Sequence, residues 1–183
     1  SVDDAIGEAF DKTAKLLGLG YPGGLQIEKR AKIGDENSFV LPMPLTKEKN
    51  FNFSFSGIKT HINILTKKNK IDDIFINNLS ASFQKTVAEI IITKIKTGLM
   101  ILKEKGIVIN SVSVVGGVSN NRYIRKKFKD FIDKENIELY YPLKEMMSDN
   151  AAMISWACIK NYTKEKNDIY FKPQPRMKIN EKL

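Results

Sequence analysis

Between Val112 and Tyr141 the chain runs from an apolar stretch through a double glycine and an amphipathic segment to a second short apolar stretch, and few folds accommodate that succession. Val112–Val115 reads as a strand, Gly116-Gly117 as the turn that ends it, Asn121–Lys134 as a helix and Glu138–Tyr141 as a second strand. A strand-helix-strand connection joins parallel strands, so the chain belongs to the α/β class. A last helix is predicted from about Asp149 to Tyr162, after Pro142.

Upstream, Ile6, Phe10, Ala14 and Leu17 recur at helical spacing over Asp4–Leu17. Gly18, Gly20, Pro22, Gly23 and Gly24 then predict a tight loop. Residues 37–59, with Pro42, Pro44 and the alternating Phe51, Phe53 and Phe55, read as a strand or an irregular loop. Leu79, Phe83, Val87, Ile90, Ile91, Ile95, Leu99 and Leu102 predict one long helix that buries a face, ended by Lys103–Gly106. The resulting division is a helical and loop-rich region over 1–110, a β-α-β-α core over 111–165 and a polar tail over 166–183, with Pro173 and Pro175.

Several function classes drop out. No apolar run approaches the roughly 18 residues of a membrane span, so no membrane partner is expected. The acidic opening Ser1-Val2-Asp3-Asp4 is unlike a secretory signal. The sequence holds one cysteine, Cys158, which among Ala, Ile and Trp fits a buried thiol, and a cytoplasmic location is expected. It also holds one histidine, His61, so neither a Cys/His zinc cluster nor a Ser-His-Asp triad with a choice of bases can be assembled. The net charge of +9 either favours a polyanionic partner or reflects a lysine-rich composition.

Four constellations bear on chemistry. Asp4, Glu8 and Asp11 share a helix face; they form either a solvated acidic stripe or, in the case of Asp11, too far along to serve the helix dipole, an acceptor for ribose hydroxyls. Gly116–Asn121 lies between strand and helix, where backbone N–H groups converge, so it is either a structural turn or a nucleotide-docking loop. Ser148-Asp149-Asn150 either caps the last helix through Ser148 or Asp149 or offers a carboxylate to a divalent metal. The basic residues Arg122, Arg125, Lys126, Lys127 and Lys129 near Tyr123, and Lys172, Arg176 and Lys178 near Tyr170 and Phe171, are solvated faces or phosphate-positioning clusters.

Taken together, five segments carry a resemblance. They are Asp3–Leu19 (DDAIGEAFDKTAKLLGL), Tyr21-Pro22-Gly23-Gly24, Asn52–Thr60 (NFSFSGIKT), Gly116–Arg122 (GGVSNNR) and Ser148–Ile154 (SDNAAMI). In this order the chain resembles the tRNA threonylcarbamoyladenosine transferase family, once described as O-sialoglycoprotein endopeptidases.

The resemblance implies an actin-like, RNase H-like ATPase fold of two lobes, of which this chain is mostly the second. It implies transfer of a threonylcarbamoyl group from threonylcarbamoyl-AMP to the adenosine beside the anticodon of tRNA. By similarity, Asp11, Gly24 and Asn121 bind the donor substrate, and Asp149 is a ligand of one divalent metal ion, iron or zinc. The implied partners are tRNA, an adenine nucleotide and the other proteins of the threonylcarbamoyladenosine-synthesising complex. The family's His-x-x-x-His and Ser-Gly-Gly-His-Thr segments match nothing here, so this piece alone is expected to be inactive and to bind metal weakly or not at all. Met147 and Ser148 stand where cysteine and threonine are common. Competing readings are a noncatalytic module that binds tRNA or partner proteins and an ATPase or kinase of the same fold; a lone lobe also predicts self-association through apolar surface.

Overall fold

The computed structural model describes residues 1–162. They divide into one compact unit, Ser1–Ser148, and a second that begins at Asp149. The first unit holds α1 (Ile6–Leu16), α2 (Gly23–Ala31), α3 (Ser56–Lys68), α4 (Asp73–Glu104), β1 (Ser111–Ser113), α5 (Arg122–Glu135) and β2 (Glu138–Tyr140), and the second holds α6 (Ala151–Asn161).

The long helix α4 is the spine. Its apolar face supplies Leu79, Phe83, Val87 and Ile90 to a core that also takes Phe10 from α1, Ile27 from α2, Ile58 and Ile62 from α3 and Ile124 from α5. The helix starts earlier than its apolar periodicity predicts, because Asp72 caps it by accepting a hydrogen bond from Phe75 N at 2.9 Å. At the other end Gly106 N donates to Lys103 O at 3.0 Å and Ile107 N to Leu102 O at 2.9 Å, a Schellman closure at the predicted stop.

The β-α-β unit forms as expected. β1 and β2 pair in parallel, with Val112 opposite Leu139, and α5 connects them while packing against α4. Residues before and after position 110 therefore share one unit. Val108, Val115 and Leu143, which flank the sheet, are exposed.

Two helices depart from the sequence expectation. Gly23 and Gly24, expected in a loop, are the first residues of α2. A Cβ on Gly23 would sit 2.6 Å from Asp11 Cα, so glycine is what lets α2 start against α1. Residues 37–59 contain no strand; Phe53 and Phe55 stack with centroids 6.1 Å apart, and the chain turns into α3 at Ser56. The loop before it is gathered by Lys94, 2% exposed, whose Nζ donates to Glu48 O, Asn50 O and Asn50 Oδ1 at 3.0–3.2 Å. Backbone carbonyls held by an ammonium group need no partner strand.

Asp3 ties the start of the chain to α3. Its carboxylate accepts from Ser54 Oγ at 2.5 Å, Phe55 N at 2.8 Å, Ser56 Oγ at 2.7 Å and Ser56 N at 3.4 Å. Desolvation pulls its pKa up, but the hydrogen bonds from Ser54, Phe55 and Ser56 outweigh it and hold the group well below the usual carboxylate range. A depressed folded-state pKa stabilises the fold above the unfolded value, near about 3.9, and that contribution is lost as pH falls through the folded value. Asp3 is exposed, so solvent screening limits the size of the effect. In acid titrations of the melting temperature, the full chain should fall more steeply below about pH 4 than its Asp3→Asn variant; parallel curves would show that this cluster holds no stability.

Among the described residues the second unit holds α6, none of whose residues is buried. Asn150 caps it, its Oδ1 accepting from Met153 N at 2.9 Å, in place of the expected Ser148 or Asp149. Cys158, expected to be buried, is exposed on α6. No helix among the described residues is long and apolar enough to cross a membrane.

Candidate functional site

A cavity of about 580 Å³ opens between α1, the start of α2 and the Gly116–Asn121 loop. Its walls are mostly apolar, with Ile6 and Phe10 from α1, Leu25 from α2 and Val115 and Val118 from the loop. Asp11, Gly24 and Asn121, singled out separately in the sequence, line this one cavity. Asp149 belongs to the second unit.

Three polar wall residues, Asp11, Glu28 and Asn121, are held by the ends of helices. Asp11 turns away from the acidic stripe: Asp4 and Glu8 both pair with Lys12, at 2.6 and 2.8 Å, whereas Asp11 Oδ1 accepts from Gly23 N at 2.8 Å and fastens the first turn of α2. Glu28, one helical turn beyond Gly24, accepts from Arg122 N at 2.9 Å at the first residue of α5. Asn121 is 7% exposed; its Oδ1 caps α5 by accepting from Ile124 N at 3.0 Å, and its Nδ2 donates to Gln84 Oε1 at 2.7 Å.

The loop is shaped by Gly116, whose φ of 89° and ψ of 164° fall where only glycine is comfortable. A 3₁₀ turn over Gly117–Asn120 follows, closed by Ser119, which donates to Gly116 O from both its Oγ and its backbone N, at 2.6 and 3.1 Å.

The amides of Arg122 and Ile124 at the start of α5 are occupied by Glu28 and Asn121, and the cavity presents the carboxylates of Asp11 and Glu28 to a ligand. Those carboxylates lie at the positive ends of α2 and α5, which stabilise their charge. One oxygen of each is engaged, and among the described residues the other accepts no hydrogen bond. An apolar slot with two carboxylate acceptors suits a planar apolar ring joined to a hydroxyl-rich group and disfavours a phosphate beside Asp11 or Glu28.

Glu28 and Gln84 were not apparent from the sequence. Glu28 had a usable signal, its spacing of four from Gly24, once α2 is known to be a helix. The basic cluster of α5 is largely satisfied internally: Arg125 lies over the Tyr141 ring, 4.1 Å from its centroid, Lys127 is 3.6 Å from Glu36, and Lys129 pairs with Asp133 at 2.7 Å. The cluster of Lys172, Arg176 and Lys178 lies outside the described residues, as do Tyr170 and Phe171. His61 is half-buried on α3.

A resident metal does not fit the described residues. No three His, Cys, Asp or Glu side chains converge among them, and Asp149 alone leaves a first shell unfilled.

Comparison with known proteins places these observations. The family model for tRNA N6-adenosine threonylcarbamoyltransferase matches residues 1–156. A curated relative of that description from Thermosipho africanus is 43% identical over 180 residues, covering 98% of this chain and 53% of the relative. Another from Ehrlichia canis is 41% identical over 178 residues, covering 96% and 51%. One from Wolbachia pipientis wMel is 37% identical over 180 residues, covering 98% and 53%. The chain spans about half the length of these relatives.

Proposed function

Because this chain belongs to the tRNA N6-adenosine threonylcarbamoyltransferase family, we propose that its first unit is the nucleotide-holding half of that transferase, with its cavity as the seat of the adenylate part of the donor. The observation that carries this reading is the meeting of Asp11, Gly24, Glu28 and Asn121 on one largely apolar cavity. The adenine ring lies against the apolar wall. Asp11 and Glu28 accept hydrogen bonds from ribose hydroxyls with their unengaged oxygens, and Gly24, which has no atom within 4 Å of where a Cβ would stand, leaves room for the sugar. The fold that goes with this reading is the actin-like one, this chain being mostly its second lobe.

In the proposed reaction the exocyclic amine of a tRNA adenosine attacks the carbonyl carbon of threonylcarbamoyl-AMP. The bond from that carbon to the phosphate oxygen breaks, AMP leaves, and the amine gives up a proton. This chain's contribution is to hold the leaving nucleotide so that the carbonyl stays within reach, which lowers the entropic part of the barrier. tRNA and the proteins that supply the donor are the proposed partners.

The test is incorporation of labelled threonine into unmodified tRNA in the presence of threonine, bicarbonate, ATP and the donor-synthesising proteins. A full-length relative is expected to be active and this chain alone inactive. The relative carrying this chain in place of its own matching half is expected to regain transfer; a folded chimera that binds tRNA yet transfers nothing would sink the reading.

A further inference from the structure

Behind the cavity wall, the side chain of Gln84 meets that of the wall residue Asn121 in a buried pairing. Gln84 lies on α4, 4% exposed, and borders a second hollow of about 300 Å³ that shares Glu28 with the first. Its Oε1 accepts from Asn121 Nδ2 at 2.7 Å. An asparagine amide has nearly the same shape after a half-turn about its last bond, but the half-turn would set its NH₂ against the N–H of Ile124, two donors face to face. The Ile124 N–H therefore sets the orientation of the Asn121 amide, and Gln84 Oε1 accepts from the buried Asn121 Nδ2 that this orientation turns toward α4, tying the amide in place.

We infer that Gln84 is a positioning residue for nucleotide binding: by fixing the Asn121 amide it fixes the start of α5 and, with it, the Gly116–Asn121 loop that walls the cavity. The inference rests on the reading that the cavity takes the donor's nucleotide. The geometry favours a directed role over simple filling, because Gln84 and Asn121 come from different elements, both are buried, and the bond between them joins α4 to the loop.

The test uses the full chain with AMP as probe. Gln84→Met keeps the bulk and removes the acceptor, whereas Gln84→Glu keeps an acceptor oxygen. Loss of one buried hydrogen bond predicts about tenfold weaker AMP binding by calorimetry for Gln84→Met, with Gln84→Glu within about twofold of the parent. A ligand-free readout accompanies it: exchange of the Ile124 amide hydrogen should quicken about tenfold in Gln84→Met, while that of Phe75, held by Asp72 on α4, stays put. Unchanged Ile124 exchange, or equal AMP affinity in the two variants, overturns the inference. Should Gln84→Met not fold, Gln84→Asn, which withdraws the acceptor by one methylene, is read the same way. If the parent chain binds no AMP, the nucleotide reading fails separately, and Ile124 exchange still decides whether Gln84 sets the loop.

Discussion

Phe83→Ala is expected to destabilise the first unit by about 3–5 kcal/mol, the largest stability change anticipated for a single core truncation in this chain. Phe83 is fully buried in the first half of α4 and meets Phe10 edge-on, with centroids 4.9 Å apart and planes at 77°. Truncation removes the transfer energy of the ring, leaves a cavity that α4 cannot close, and forfeits the aromatic pair, worth about 0.5–1.5 kcal/mol of that total. Urea unfolding followed by circular dichroism measures it as a lower midpoint at unchanged slope. Phe10 lines the cavity proposed to hold the nucleotide, so AMP affinity should fall alongside stability. A loss below about 1 kcal/mol would mean that α1 and α4 are not packed as described.

Asp11→Ala is expected to weaken AMP binding about a hundredfold, the largest effect on the site. Two charge-assisted hydrogen bonds depend on this carboxylate, one within the protein to Gly23 N and one proposed to the ribose, and bonds to charged groups contribute about 1.5–3 kcal/mol each. Asp11→Asn separates the two roles. Its amide oxygen still accepts from Gly23 N, so the start of α2 and the melting temperature should hold, while the lost charge weakens AMP binding about tenfold. Calorimetric titration of the two variants against the parent gives the answer. Parent-like affinity in Asp11→Ala would remove the ribose from this wall, whereas equal loss of affinity and stability in both variants would mean that Asp11 serves only the α1–α2 contact.

How much was legible in advance follows the range of each interaction. The β-α-β unit, the long helix α4 and the stop at Gly106 were readable because apolar spacing and glycine position act within one or two turns of chain. Asp11 stood out for a similarly local reason, a carboxylate too deep in its helix to serve the dipole. The family resemblance named Asp11, Gly24 and Asn121 together as donor-binding residues before any geometry was known, though not their hydrogen bonds to Gly23, Ile124 and Gln84.

The sequence by itself therefore determined the α/β class, the placement of α1, α4, α5 and α6 along the chain, and three candidate wall residues, Asp11, Gly24 and Asn121. Tertiary structure alone decided that Gly23 opens a helix, that Asp3 fastens α3, that Lys94 gathers a loop in place of a strand, and that Glu28 and Gln84 set the geometry of the cavity. The physical reason is sequence separation. The bonds of Asp11 to Gly23, Asn121 to Gln84 and Arg122 to Glu28 span 12, 37 and 94 residues, and a hydrogen bond of that span leaves no periodicity or capping pattern near either partner. It becomes visible only when burial of the α4 face has brought the distant segments together.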